Sequence, residues 1–319
     1  SAANTIYTSA NMAAMLAANH HGKGRVRVTK VIRQGQLHSV LQFSVEILLD
    51  GPTDAAFTAA DNSLIIPTDT QKNTVYVLAK TTSFGCAEDF AVIVARHFLS
   101  MYPDLVHRCR VMVKEDTWNR VMAADSTGKT REHDHAFLKG GPHFMFGRSE
   151  GKRESCGRIS IRVFGGVKGL TLFKTTQSSF TDFHKDNNTS LPEAEDSRLL
   201  GTCMDGEWEY DTLSSPDFSK DRAKVVDILV EQFAGPADKG VPSPSVQVTC
   251  FKMGTAVLAT VPSVTECTFY MPNVHNLPFD LAKYGLVNAD HTGLPHIFYP
   301  VDEPHGIIQA TMKRPSSKL

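Results

Sequence analysis

The order of predicted secondary structure is repeated along the chain, and this repeat restricts the fold more than any other feature. In the first half, period-2 alternation of apolar residues predicts strands over residues 25–33, 36–51, 105–118 and 133–148. Between the second and third of these, helical spacing begins at Thr68 and recurs over residues 86–99. The first half is therefore predicted as strand, strand, helix, helix, strand, strand.

The second half shows the same order after a polar, glycine-containing stretch at residues 148–157. Strands are predicted over residues 159–177 and 199–210, helices over 222–233 and 245–260, and a last strand set over 266–277, 296–299 and 306–312. The domain boundary is placed in the polar stretch. We therefore divide the chain into a first unit at residues 22–150 and a second at 151–316.

Two units of this kind predict an α+β fold. Four antiparallel strands backed by two helices have one covered sheet face and one free face. Two such units can join edge to edge into one curved sheet. That sheet closes only by oligomerisation, which also removes exposed edges.

The composition fits a folded protein and argues against two classes of partner. Hydrophobic residues make up 41% of the 319 residues, which is enough for an ordinary core. There are 33 basic and 34 acidic residues, so charge gives no support for nucleic acid or an anionic membrane as a partner. No apolar run reaches membrane-spanning length.

The two ends of the chain differ in their signals. Residues 1–21 are predicted to be an N-terminal extension, because the small-residue run NMAAMLAAN has no basic residue before it, as a secretory signal would. The chain ends in Ser317-Lys318-Leu319, which is a peroxisomal import address. Residues 317–319 thus predict an import receptor as a partner and the peroxisome as the location.

The junction IIPTDTQKNTVYVLAK at residues 65–80 admits two interpretations. Thr68 followed by Gln71 fits a capping box at an ordinary strand-to-helix junction. Alternatively, Thr68 and Asp69 present a hydroxyl and a carboxylate to a small molecule at a helix start. Residue chemistry alone favours the first interpretation.

Other polar residues are candidates for catalysis or ligand binding, but the residues alone do not decide between a functional and a structural role. His133 and His135 share one face of a predicted strand, but hydrogen bonding explains them better than metal binding, since no further ligands follow at useful spacing. Lys23 lies between two glycines, and shielding would lower its pKa towards proton transfer. Asn273 and His275 share a strand face and can point into one pocket. No nucleotide-binding or nucleophile-elbow motif is present.

Several ordered segments together resemble the urate oxidase (uricase) family. They are HGKGRVRV, DNSLIIPTDTQKNTVYVLAK, REHDHAF, GLTLFKTTQSSFTDFHKD, TSLPEAEDSRLL, FAGPADKGVPSPSVQ, MPNVHNL and DEPHGIIQATMKR. The likeness extends from about residue 22 to the C-terminus. It implies two tandem tunnelling-fold (T-fold) units per chain and a homotetramer that forms a β-barrel tunnel. It also implies oxidation of urate by O₂ to 5-hydroxyisourate and hydrogen peroxide, without metal or flavin.

The resemblance assigns substrate-binding roles to five residues. Phe180 is similar to the phenylalanine that stacks on the purine ring. Arg198 and Gln247 resemble the guanidinium and amide that grip opposite edges of urate, and a planar guanidinium suits an anionic heterocycle. Val246 would add a backbone contact and Ile308 a pocket wall.

The resemblance assigns roles in the reaction to the remaining residues. Lys23 and Thr68 look like the family's proton-relay pair, and His275 extends that relay. Asp69 would contact the purine through its backbone, and Asn273 with Thr68 would frame the position of O₂ or water. In the family, the Lys-Thr-Asp group comes from a neighbouring subunit, so the active site is shared between subunits.

Two departures from the family pattern leave alternatives open. The segment TSLPEAEDSRLL has one residue more than the usual spacing before the arginine, and aligning RLLGT makes Ser197 the insertion. SSF replaces the commoner SGF or SQF before Phe180. The alternatives are another T-fold activity on purines or pterins, such as a cyclohydrolase, and a purine-binding relative that has lost catalysis. The set of Lys23, Thr68, Asn273 and His275 argues against lost catalysis.

Overall fold

A computed structural model of the chain describes residues 14–190 and 193–315. Within these ranges the strands are β1 (His21–Gln34), β2 (Leu37–Asp50), β3 (Arg108–Asp116), β4 (Trp118–Ala124), β5 (Thr130–Lys139), β6 (Phe144–Arg153), β7 (Ile159–Phe180), β8 (Ala194–Tyr210), β9 (Val264–Pro278) and β10 (Phe298–Lys313). The helices are α1 (Asp54–Thr58), α2 (Thr68–Thr81), α3 (Ala87–Met101), α4 (Phe218–Ala234) and α5 (Val246–Thr260).

The main sheet is antiparallel and runs through both halves of the chain. Its strand order is β1-β2-β3-β6-β7-β8-β9-β10, and β4 and β5 form a separate hairpin. The two units therefore join where β6 pairs with β7, edge to edge as the sequence predicts. The division at residues 150 and 151 falls inside β6, and since the sheet passes through this junction unbroken, the domain limits stay a prediction.

The helices cover one face of the sheet, and each half has its own core. Strands β2 and β3 of the first half place alternate side chains against α2 and α3, with Phe90, Val94 and Phe98 fully buried. In the second half, Trp208 of β8 and Phe269 of β9 pack under α4 and α5. The apolar periodicity of the sequence therefore corresponds to this covered face.

The opposite face of the sheet is open and carries charged pairs. Because side chains alternate along a strand, Arg148, Arg162, Glu207 and Glu209 lie opposite the Trp208 side. Arg148 bonds Glu207 at 2.7 Å and Arg162 bonds Glu209 at 2.7 Å. The α+β architecture with one covered face is thus confirmed.

Several segments, among them the unpredicted strand β4, differ from the sequence-based expectation. The single strand predicted over residues 133–148 is wrong, because Gly140-Gly141-Pro142 separates β5 from β6 and proline cannot donate to a strand ladder. Instead β5 turns back on β4, where the Gly140 amide donates to the Thr117 carbonyl at 2.8 Å. The short helix α1 was not predicted either.

The capping box predicted at the start of α2 is also wrong. Pro67 occupies the N-cap position with extended backbone, so Thr68 is already helical and makes no capping bond. Gln71 is fully buried, and its amide instead donates to the Ile66 carbonyl at 3.2 Å. The helix start therefore leaves its first N–H groups without a side-chain cap.

Candidate active site

A cavity of about 130 Å³ lies where the ends of strands β7 to β10 meet the start of α5. Its walls are Ser178, Ser179, Phe180, Arg198, Ser245, Val246, Gln247, Asn273, His275 and Ile308. Seven of these ten were singled out from the sequence, and they come from four strands and one helix. The structure therefore brings together residues that are more than a hundred positions apart.

Strands β8, β9 and β10 position four of the wall residues. Asn273 and His275 are two positions apart on β9 and so share one face, as the sequence predicts. Strand β10 places Ile308 opposite Met271, next to them. Arg198 reaches the cavity from β8.

The predicted insertion at Ser197 lies where the pairing of β7 with β8 is irregular. Along β7 and β8 the pairing register changes by one residue at Ser178–Ser197 and returns at Phe180–Ala194. A bulge places one extra residue in a strand and bends that strand locally. Arg198 still lines the cavity beside Phe180.

The start of α5 forms the polar end of the cavity. Ser245 is its N-cap, and the Ser245 hydroxyl accepts a bond from the Val248 amide at 3.2 Å. Val246 and Gln247 follow as the first helical residues, with Val246 buried and Gln247 exposed to the cavity. The free N–H groups and partial positive charge of a helix start favour a bound anion.

The charged groups in the cavity also favour an anion. Arg198 Nη2 lies 3.5 Å from His275 Nδ1. Burial lowers the pKa of His275, and the nearby charges of Arg198 and His305 lower it further. Burial also lowers the pKa of Arg198. These effects favour the neutral imidazole of His275 beside the guanidinium of Arg198.

The aromatic wall is built from two rings. Phe180 and Phe183 stack with centroids 4.9 Å apart and planes 9° apart. Phe183 thus backs one side of Phe180 and holds its ring in place, a position suited to stacking on a flat ligand.

The other three predicted site residues lie at a different place in the same chain. Thr68 and Asp69 are exposed at the start of α2, and Lys23 lies on β1 close enough to Asp69 to lower its pKa. Asp69 is held mainly by Lys72, at 2.6 Å, and also by Asn73, at 2.9 Å. We refer to Lys23, Thr68 and Asp69 as the α2 group.

The α2 group cannot reach the cavity within one chain. Strand β1 is the edge of the sheet, and five strand-to-strand steps separate it from β8. At about 4.8 Å per step, this is roughly 24 Å. A ligand in the cavity therefore meets Lys23 and Thr68 only if they come from another molecule.

Sequence reasoning missed three serines in the cavity wall, Ser178, Ser179 and Ser245. Ser245 had a usable signal, because a serine directly before a helical pattern is a typical N-cap. Ser178 and Ser179 carry no such signal, since alternation alone does not show that this strand end borders a cavity.

The histidine pair of β5 lies elsewhere and makes the hydrogen bonds that the sequence favoured. The Nδ1 atom of His133 accepts from the His135 amide at 3.2 Å and from the Ala136 amide at 3.1 Å. Among residues 14–190 and 193–315, no cluster of three or more histidine, cysteine or acidic side chains suits a metal ion.

Known proteins resemble this chain over nearly its whole length. The family model described as uricase matches residues 19–149 and 163–309. A uricase from Oryctolagus cuniculus is 36% identical over 300 residues, covering 94% of this chain and 95% of that protein. The chain belongs to the uricase family. A uricase from Arabidopsis thaliana is 37% identical over 312 residues, covering 94% of this chain and 96% of that protein.

Solved uricase structures show the same fold. The uricase from Arthrobacter globiformis matches with a TM-score of 0.83 and 32% identity, covering 97% of this chain and 98% of that one. A Bacillus fastidious uricase matches at 0.78 with 21% identity, which supports the fold alone. The predicted T-fold is thereby confirmed. In the described part of one chain the sheet stays open, with β1 and β10 as its edges.

Uricases are urate oxidases, so family membership makes this chain an oxidoreductase. The described residues contain no helix that is long and apolar enough to cross a membrane.

Proposed function

We propose that this chain catalyses the cofactor-independent oxidation of urate by O₂ in purine degradation. Urate, O₂ and water give 5-hydroxyisourate and hydrogen peroxide, so two electrons leave the purine and both reduce O₂. The observation that carries the proposal is the cavity in which Phe180, Arg198 and the start of α5 converge. Its fit to a flat anion supports urate, which is a monoanion at neutral pH.

Substrate binding follows from the chemistry of the walls. The Phe180 ring stacks on the purine face, and Arg198 and Gln247 hold opposite edges of it. A guanidinium presents parallel donors that match a carbonyl and a ring nitrogen. The Val246 amide at the start of α5 adds a donor for the anion, and Ile308 closes the apolar side.

Proton transfer in this proposal uses groups on both sides of the purine. Removal of a second proton makes urate electron-rich enough to reduce O₂ directly. A threonine hydroxyl is too weak a base alone, so Lys23, neutral or sharing a proton, takes the proton through Thr68, and neutral His275 extends the relay. Asn273 and Thr68 frame the place where O₂ and then water meet the ring, and the Asp69 backbone contacts the purine.

Catalysis of this kind requires more than one subunit. The separation of roughly 24 Å across the sheet supports a site in which one chain supplies the cavity and another supplies the α2 group. A homotetramer that closes the open sheets into a β-barrel tunnel meets this need and pairs the edges at β1 and β10.

We also propose that the protein acts in the peroxisome. The support is the terminal Ser317-Lys318-Leu319, which lies outside the described residues and matches the address read by the peroxisomal import receptor. The location suits the chemistry, because hydrogen peroxide is a product.

The test is urate disappearance by ultraviolet absorbance with O₂ uptake in parallel, in the presence of a metal chelator. Equal molar loss of urate and O₂, unchanged by the chelator and with no flavin absorbance, is the expected result. A folded oligomer that binds urate without consuming O₂ would instead identify a binding protein that has lost catalysis. Chelator-sensitive turnover would contradict cofactor independence.

A further inference from the structure

Lys174 of β7 is a half-buried lysine with an unusual set of partners. Its Nζ atom donates to the Val241 carbonyl at 2.8 Å and to the Ser243 hydroxyl at 2.7 Å, and it lies 3.5 Å from the Phe233 carbonyl. Among the described residues no acidic side chain forms a salt bridge with it. Partial burial of a lysine ammonium without an acidic partner costs desolvation free energy. We therefore expect these contacts to have a role that offsets this cost.

These partners lie on the segment that leads into the cavity. Phe233 is in the last turn of α4, and Val241 and Ser243 belong to the connection from α4 to α5. Lys174 therefore ties the end of one helix to the chain that begins the next. That next helix starts with Val246 and Gln247, which line the cavity.

Ser243 contacts both α5 and β7. Its side-chain oxygen lies 2.8 Å from the hydroxyl of Thr249, which is buried in the first turns of α5. Its backbone bonds β7 on both sides, where the Ser179 amide donates to the Ser243 carbonyl at 3.0 Å and the Ser243 amide donates to Gln177 at 2.8 Å. Ser243 is thus joined to the strand end that carries Phe180 and to the helix that carries Gln247.

We propose that Lys174 is a positioning residue for urate, acting through Ser243 to set the distance between the Phe180 ring and the start of α5. Lys174 does not line the cavity, and it acts on the substrate only through these contacts. A polar network with all members bonded fixes a single arrangement, whereas a partly bonded one is loose. This inference rests on the proposed function, because it concerns the same cavity.

The test compares Lys174→Met with a matched control on the same strand. Lys168 is also on β7, but it pairs with Asp205 at 2.9 Å away from the cavity. Lys174→Met is expected to raise the KM for urate and the dissociation constant of urate measured without O₂ by about ten- to a hundredfold, with a smaller change in kcat. Lys168→Met is expected to change neither value.

Ser243→Ala provides a second route that leaves the lysine charge in place. A smaller rise in the KM and in the dissociation constant for urate, of about three- to tenfold, is expected because the lysine keeps its carbonyl partner. This variant carries the test if Lys174→Met does not fold. A lower melting temperature with unchanged urate affinity in the variants would overturn the inference and leave a purely structural role.

The failure of this inference is distinguishable from failure of the proposed function. Wild-type protein that oxidises urate, together with Lys174 and Ser243 variants of normal affinity, overturns only the positioning role. Wild-type protein that neither binds nor oxidises urate overturns the proposed function, and the positioning role falls with it.

Discussion

The two helix starts that carry site residues are built in opposite ways. At α5, Ser245 caps the helix, Val246 is buried and the chain itself supplies the surrounding walls. At α2, Pro67 holds the cap position without a capping bond, and Thr68 and Asp69 are exposed. One half of the chain therefore encloses a cavity with its own residues, whereas the other half exposes its predicted site residues on the surface.

This difference explains how a chain can hold two parts of a site that never meet within it. The cavity is built by strands and a capped helix of one chain. In the proposed homotetramer, the exposed α2 group is covered by another molecule. The proposed function assigns substrate binding to the cavity and the proton acceptor to the α2 group, and this assignment can be tested by changing each half separately.

The largest effect is expected from disabling the two halves in different molecules. Lys23→Met and Arg198→Ala are each expected to lower kcat/KM by at least about a hundredfold, through loss of the base and of the anion contact respectively. Coexpression of the two variants should restore activity, because roughly a quarter of shared sites then receive both intact residues. Steady-state kinetics of the mixed oligomers measures this recovery.

The control for this recovery is a mixture made after each variant has been expressed alone, under conditions where subunits do not exchange. Intact mixed tetramers without any recovered activity would contradict a site shared between subunits.

The next effect concerns a cluster of Arg222, Glu115 and Glu88 that links the two halves of the chain, which we call the joint. Arg222 of α4 bonds Glu115 of β3 at 2.6 Å and 2.8 Å and reaches Glu88 of α3 at 3.3 Å, all in a buried setting. Arg222→Met leaves the buried Glu115 carboxylate and the buried Glu88 carboxyl group without a cation, so a loss of about 3–5 kcal/mol in the free energy of unfolding is expected from urea denaturation.

Arg162→Met is the matched control for this joint. Arg162 also pairs with two glutamates, Glu150 and Glu209, but its side chain is 59% exposed. A change below about 1 kcal/mol is expected there. Equal losses in the two variants would show that the joint contributes no more than the open face.

A pH-dependent effect follows from Glu88 in the same joint. Burial raises the pKa of this carboxyl from 4.5 to about 7, although Arg222 opposes the shift. Between these values the folded chain holds a proton that the unfolded chain has lost, so this group makes stability fall as pH rises from about 4.5 to 7. Glu88→Gln should remove that fall, as measured by urea unfolding at several pH values.

Glu207→Gln on the open face serves as the comparison for Glu88→Gln. A wild-type and a Glu88→Gln protein with parallel stability profiles over this pH range would contradict a raised pKa at Glu88.

The smallest effect separates the two helix starts directly. Ser245→Ala removes a cap and is expected to lower the free energy of unfolding by about 1 kcal/mol. Thr68→Ala removes no cap, so stability should remain within about 0.5 kcal/mol while turnover falls. Thermal unfolding and urate kinetics on both variants test this contrast, and a stability loss in Thr68→Ala alone would reverse it.

Local patterns in the sequence predicted most of the covered sheet face and four of the helices. The apolar alternation in β2 and the helical spacing in α3 each arise because one side of the element is buried. A periodic pattern therefore predicts such elements well. The capping box at Thr68 failed because the pattern does not show that Pro67 already fills the cap position. Glycines and a proline inside residues 133–148 were a visible signal for two strands.

The site residues were predicted through the family resemblance, and the residues alone left their roles open. The sequence by itself determined the repeated α+β units and the residue types suited to a flat anion. Only the tertiary structure decided that Phe180, Arg198 and Gln247 meet in one cavity, that Lys23 and Thr68 stand apart from it, and that Lys174 braces it. The physical reason is that periodicity records which face of an element is buried, whereas convergence depends on strand order and register between segments far apart in the chain.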